Sequence, residues 1–233
     1  MSSVIRKYAA LCIVCLCSSL FFLGLYHFDN KYSQNTIQAA NGILALSEND
    51  LKKSPVRFLV SGWEFYPDAL LTPEEIQDSD HYMRYLSIGE MSNFSSPAAP
   101  SPYGCGTYRM TFFLPERKEA YAIELPEVFS SYTLYLDHDR ILQLGDPEQR
   151  IPLVQNRMVT FYGGKPVTLT IAVSNYDHFY GGIVYPPAFG TMLAVNTSRG
   201  IRFAFCLFSC TVTFVCALLS FYFSHRMKQK NAF

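Results

Sequence analysis

Acidic residues are absent from both ends of this 233-residue chain: all nineteen lie between Asp29 and Asp177. Cysteine is nearly absent from the middle, where Cys105 is the only one of seven outside two hydrophobic runs. A lone cysteine excludes an internal disulfide, so the middle region must be stabilised by its own apolar core. Missing too are G-x-S-x-G, H-x-x-x-H and any Gly-rich phosphate loop, so the usual signatures of an esterase nucleophile, a helical zinc pair and a nucleotide cradle do not occur. Tryptophan occurs once, at Trp63.

What is present in excess is apolar length. From Tyr8 to His27 and from Ile201 to Phe223, Arg202 carries the only formal charge. At about 1.5 Å per residue each run can cross a hydrocarbon core of about 30 Å. Arg6 and Lys7 precede the first run, and Arg226, Lys228 and Lys230 follow the second, whereas the region from Asp29 to Arg199 holds thirteen basic against nineteen acidic residues. Basic flanks mark the cytoplasmic side. The expected topology is therefore a double-pass cell-membrane protein: a cytoplasmic N-terminus (1–7), a transmembrane helix (8–27), an extracellular middle, a second transmembrane helix (201–223) and a basic cytoplasmic tail (224–233). The first run also fits a signal peptide. Its length and the missing small-x-small cleavage motif favour an uncleaved anchor. Cys12, Cys15 and Cys17 lack a His or acidic companion and read as packing residues rather than metal ligands.

Within the middle, 28–54 is polar and reads as a membrane-proximal stalk, with the globular domain over 55–197. There the sequence alternates with a period of two. Tyr108, Met110, Phe112 and Leu114 share one face, opposite Thr107, Arg109 and Thr111. Tyr132, Leu134 and Leu136 form a second such set, and Val167, Leu169, Ile171 and Val173, opposite Thr168, Thr170 and Ala172, a third. One-sided alternation broken by Asp137-His138, Gly163-Gly164 and Gly181-Gly182 predicts a mainly β domain, an antiparallel β-sandwich. Residues 72–80 predict a turn or two of helix, and the Pro/Ser/Ala stretch 92–103 a loop.

Several phrases recur in a telling order: S-G-W-E-F-Y-P-D-A-L-L from Ser61, G-T-Y-R from Gly106, I-E-L-P-E-V-F-S-S-Y-T-L-Y-L from Ile123, and V-S-N-Y-D-H-F-Y-G-G-I from Val173. Together they resemble the extracellular domain of bacterial seven-transmembrane receptors with diverse intracellular signalling modules. The resemblance implies a jelly roll similar to galactose-binding-like, carbohydrate-binding domains. It also implies that the second apolar run corresponds to the first helix of a receptor core. The family's Asn-Gly turn is replaced here by Asp137-His138-Asp139-Arg140, and the family's remaining helices and output module do not follow, so signalling would need a membrane partner.

Five residues are the candidate ligand contacts. Trp63 offers a ring to stack on a sugar, although a Trp in an alternating strand also packs in cores. Arg109 offers a planar fork for a carboxylate or paired hydroxyls, or equally for a structural ion pair. Asn175, Asp177 and His178 sit on a loop past the third strand, where Asn175 also suits turn hydrogen bonding. No catalytic residue, metal ligand or cofactor is expected. The expected partners are an extracellular ligand, such as a saccharide, the bilayer and a signalling protein, whereas the acidic domain argues against nucleic acid. Ser209, Thr211, Thr213 and Ala217 could face a helix partner. The function expected is an extracellular sensor module of a signalling receptor. The alternatives are an envelope assembly protein that binds another protein, or a truncated receptor fragment.

Overall fold

The alternating segments become strands because each has one face that only another apolar layer can cover. A computed structural model describes residues 3–32, 36–78, 80–89, 94 and 101–230. The strands are β1 (Ile43–Ala45), β2 (Val56–Phe58), β3 (Trp63–Pro67), β4 (Arg84–Leu86), β5 (Gly104–Phe113) and β6 (Tyr121–Leu125). They continue with β7 (Ser131–Leu136), β8 (Asp139–Leu144), β9 (Arg157–Phe161), β10 (Val167–Asn175) and β11 (Ala188–Thr191). The helices are α1 (Ser3–Asp29), α2 (Glu48–Lys53), α3 (Pro73–Asp78) and α4 (Met192–Lys230).

The larger sheet, sheet A, runs β4-β3-β5-β10-β7-β8, with β1 added parallel to β5. The smaller, sheet B, runs β2-β11-β6-β9. Every other pairing is antiparallel. Between the sheets, Phe112 of β5 meets Phe189 of β11 and Phe161 of β9 at ring-centroid distances of 5.2 and 5.6 Å, and Tyr121 stacks on Phe189 at 5.9 Å. Tyr108, Met110, Phe112, Leu114, Tyr132, Leu134, Leu136, Val167, Leu169, Ile171 and Val173 all lie in this core, as the alternation predicts.

The segment from Ile37 to Ser54 departs from the expected stalk. Leu44, Leu46 and Leu51 enter the core. The buried Arg57 guanidinium donates to the carbonyls of Ile37, Asp50 and Ser54 at 3.4, 3.1 and 3.1 Å. Gln38 donates to the Phe58 carbonyl and accepts from the Val60 and Ser61 amides. Burial lowers the pKa of Arg57 from its ordinary value; the three carbonyls bond its two terminal nitrogens, as a buried cation requires, while Nε has no hydrogen-bond partner among the described residues. The domain therefore starts well before the expected boundary at 55. The 92–103 loop lies largely outside the described residues.

Among the described residues, one helical segment, Met192–Tyr222, is long and apolar enough to cross a bilayer. The apolar part of α1, Cys12–His27, is shorter. The second helix is longer than the expected 201–223 because its first turns belong to the sandwich. Met192 N donates to Ala120 O at 2.9 Å, Val195 is buried, Leu193 N donates to Glu119 at 3.0 Å, and Arg199 pairs with Glu124 at 3.7 Å. These contacts run along β6 from its start to its end, so α4 doubles back on β11 and leaves the sandwich where Phe58, Leu125 and Ala188 lie. There Arg202 covers the Phe58 ring at 5.0 Å. The chain after α1 meets the same end, since the Tyr32 hydroxyl donates to Val184 O at 2.7 Å.

Candidate functional site

Strand register places one residue from each of six strands of sheet A in a single line: Tyr85 of β4, Glu64 of β3, Arg109 of β5, Thr170 of β10, Tyr135 of β7 and Arg140 of β8. Directly opposed residues in a sheet project to the same side, and here that side is the outer face, since Trp63, Phe65, Tyr108 and Ile171 point into the core. At the centre Arg109 Nη1 donates to Glu64 Oε2 at 3.3 Å, with both side chains partly exposed. The Tyr66 hydroxyl donates to the same oxygen at 3.4 Å. Burial, then the Glu64 charge, raises the Tyr66 phenol above its ordinary pKa. Tyr85 is 49% exposed.

Part of this face is covered. Thr107 accepts from Leu71 N at 2.9 Å and donates to Ala69 O at 2.8 Å, so the segment leading into α3 lies over the row next to Arg109. Thr72 and Glu75 exchange reciprocal hydrogen bonds at the start of α3, and Glu74 meets His138 at 2.7 Å. Thr170 is buried in the line, and its hydroxyl has no hydrogen-bond partner among the described residues. The result is a shelf beside a strap: a paired carboxylate and guanidinium, with Tyr66 bonded to the carboxylate and Tyr85 opposite Glu64 on the next strand. Such a set can donate to and accept from vicinal hydroxyls while a ring supplies a stacking face.

The five sequence candidates do not converge. Arg109 lies on this shelf. Trp63 is 0% exposed, its indole N–H donates to Leu59 O at 3.0 Å, and its ring meets Tyr108 edge-on at 6.3 Å. A ring without an exposed face cannot stack on a ligand, so the structure corrects that assignment to a core role. Asn175 is buried and spends its amide on its own turn and on the chain just before β5. It donates to Pro102 O and His178 O, each at 2.6 Å, and accepts from His178 N at 3.2 Å. That is turn chemistry, not a presented ligand contact. Asp177 is exposed beside it. His178 stacks on Phe129 at 4.7 Å and joins a run of rings through Tyr180 to Phe179, which is 60% exposed. Gly182 closes this loop at φ +73°, where a Cβ would strike the Tyr108 hydroxyl. The loop lies at the end from which the helices leave, away from the Arg109 shelf.

Glu64, Tyr85, Tyr135 and Thr170 were not among the sequence candidates. Glu64 and Tyr66 are legible as the face opposite Trp63, but Tyr85 and Tyr135 come into line with Arg109, each two strands away, only through pairing across the sheet. Thr211 and Thr213, expected to face a helix partner, donate to the Leu207 and Ser209 carbonyls of their own helix at 2.8 Å.

The chain matches no known protein family and no curated protein. Similar solved structures include a family 2 β-galacturonidase from Eisenbergiella tayi bound to galacturonate, with 14% identity, a TM-score of 0.41, and coverage of 57% of this chain and 24% of that one. A putative β-galactosidase from Bacteroides fragilis has 16% identity and a TM-score of 0.44 over 57% and 22%. A family 2 glycosyl hydrolase from Bacteroides cellulosilyticus has 13% identity and a TM-score of 0.46 over 59% and 20%. This chain spans about a fifth to a quarter of the length of these proteins. The receptor resemblance gains no family match.

Proposed function

We propose that this chain is a membrane-tethered extracellular sensing module, its sandwich held between two membrane helices with both ends cytoplasmic, and that the Arg109 shelf takes a saccharide or envelope glycan. The observation that carries the proposal is α4: one unbroken helix is docked on sheet B through Val195, Glu119 and Glu124 and continues directly into the apolar span. A change in the tilt of the sandwich is then a change in the tilt of the span, which is what a receptor module must deliver to a signalling partner. The shelf supplies paired polar groups and exposed aromatic edges, as hydroxyl-rich ligands require.

The test is a thermal-shift screen of the full chain in lipid nanodiscs against saccharides and cell-wall fragments. A ligand at a hundred times its Kd stabilises by about 2.7 kcal/mol, a shift of roughly 5–10 °C for a domain of this size. Arg109→Gln should remove the shift. Stabilisation by no saccharide, or a shift that Arg109→Gln leaves intact, refutes the ligand assignment. One feature favours a protein partner instead: Ile151, Leu153 and Val154 are exposed together between β8 and β9. Crosslinking from that loop to a co-purified membrane protein would support the assembly reading.

A further inference from the structure

Three connections close the end of the sandwich from which α1 and α4 leave. The first, 126–130, follows Leu125 at the end of β6. The second, 145–156, begins after Leu144, which pairs with Tyr132 at the start of β7, and ends before Arg157, which pairs with Leu125. The third, 176–187, ends before Ala188, which pairs with Phe58 and Glu124. Large apolar side chains stand exposed on two of them: Ile151, Leu153 and Val154 on the second and Phe179 on the third. The turns at the opposite end instead present Glu116, Lys118, His138 and Lys165 to solvent.

The height of this end above a bilayer follows from helix geometry. Twenty residues separate Arg202 from Tyr222, the end of the apolar segment, and at about 1.5 Å per residue they cover roughly 30 Å, the thickness of a hydrocarbon core. Arg202 therefore marks the outer boundary of that core, and it lies only 5.0 Å from the ring of Phe58 in the sandwich. No free length of chain holds the sandwich away from the span. On the other side Tyr32, just past α1, donates to Val184 O, and Tyr185 shares one cleft with Ile201 and Phe205 of α4. Rings carry this level outward from Tyr185: Phe129 lies 6.1 Å from it, His178 4.7 Å from Phe129, and Phe179 5.2 Å from His178.

Resting on the tethered-module reading above, we infer that this end of the sandwich is seated on the outer leaflet, with Phe179, Ile151, Leu153 and Val154 in the headgroup layer. Exposed apolar and aromatic side chains at the level where a span emerges meet the lipid interface, which suits such groups. A protein partner would cover the same residues, but the bilayer is the surface that the two helices bring against them. Glu127, Glu148 and Asp177 are exposed on the same connections, and their charges keep the contact in the headgroups and out of the hydrocarbon. The seat has two separate footholds, so a tilt of the sandwich must lift one of them from the leaflet.

The experiment is tryptophan scanning of the full chain in phosphatidylcholine nanodiscs whose acyl chains are brominated either near the headgroup or near the chain ends. Bromine quenches only a ring in contact with it, and Trp63, buried in the core, gives a constant background. Phe179→Trp and Leu153→Trp should each lose most of the emission above that background to the lipid brominated near the headgroup. Tyr162→Trp should lose none, since Tyr162 is exposed beside Phe161, which pairs with Tyr121 at the far end of β6. Phe214→Trp, within the apolar segment of α4, should lose its emission to the lipid brominated near the chain ends. Quenching of Phe214→Trp with neither loop variant quenched leaves the tether standing and removes the seat, whereas an unquenched Phe214→Trp removes both. Equal quenching of Tyr162→Trp overturns the inference, as does blue-shifted but unquenched emission from the two loop variants, which would report cover by protein.

Discussion

Leu44→Ala tests whether the chain before Pro55 is a tether or part of the domain. Leu44 is 0% exposed and lies opposite Phe112 in the parallel β1–β5 pair, whereas its neighbour Ile43, opposite Thr111, is 46% exposed. Truncating Leu to Ala removes three carbons, about 0.8 kcal/mol each by transfer. The cavity left in a packed core brings such changes to about 3–4 kcal/mol. For a domain of this size that is a fall of roughly 6–15 °C in Tm. Ile43→Ala should cost well under about 1 kcal/mol, since half-exposed sites have little transfer energy to lose. The assay is urea or thermal unfolding of the full chain in detergent micelles, followed by near-ultraviolet circular dichroism, with both variants in parallel. If Leu44→Ala shifts the transition no more than Ile43→Ala, the segment is not part of the cooperative core, and the reasoning from burial fails.

Trp63, the only tryptophan, should emit at blue-shifted wavelengths, resist iodide quenching and stay unchanged on adding any saccharide; a red-shifted or ligand-sensitive emission would place it at the surface. Asn175→Ala should destabilise by about 2–3 kcal/mol through loss of three hydrogen bonds, while Asp177→Ala should change stability by less than about 0.5 kcal/mol; denaturant midpoints compare the two. Arg117 grips Glu48 with two bonds of 2.9 and 2.7 Å, which hold its carboxyl below the ordinary 4.5. A depressed carboxyl contributes stability that is complete above about pH 4.5 and is lost as pH falls through the lower folded value. Melting curves from pH 7 to 3 should show this acid loss in the wild type and lack that component in Arg117→Ala.

The strands were legible where one face is core and the other polar. β5, β7 and β10 therefore appear in the sequence as alternations, and so do Glu64 and Tyr66 as partners opposite Trp63. What the alternation could not convey is that the polar face is partly covered as well: Thr107 and Thr170 are both buried, Thr107 beneath a strap from residues 69–71 that crosses sheet A, and no local period reports a segment more than thirty residues away. β1 escaped for a related reason. A three-residue strand has too few positions to establish a period, and its partner follows sixty-eight residues later. Leu44, Leu46 and Leu51 were the available signal. At the site, Arg109 was visible as a polar residue in an apolar strand, but the line that joins it to Tyr85 and Tyr135 exists only across five hydrogen-bonded strands. Asn175 and His178 looked alike on one loop, yet the first serves the backbone and the second stacks on a ring.

The doubling back of α4 over sheet B also fixes how the domain bears load. Because the docked turns lie along β6, a pull from the span drags the helix lengthwise across the sheet. The contacts made by Leu193, Val195 and Arg199 are then strained together, in shear. Only when they fail does tension reach Thr191, at the far end of β11, and from there the strand would be peeled bond by bond from β2 and β6. The docked turns thus act as a mechanical clutch: they share small forces and slip above a threshold before the sandwich unravels.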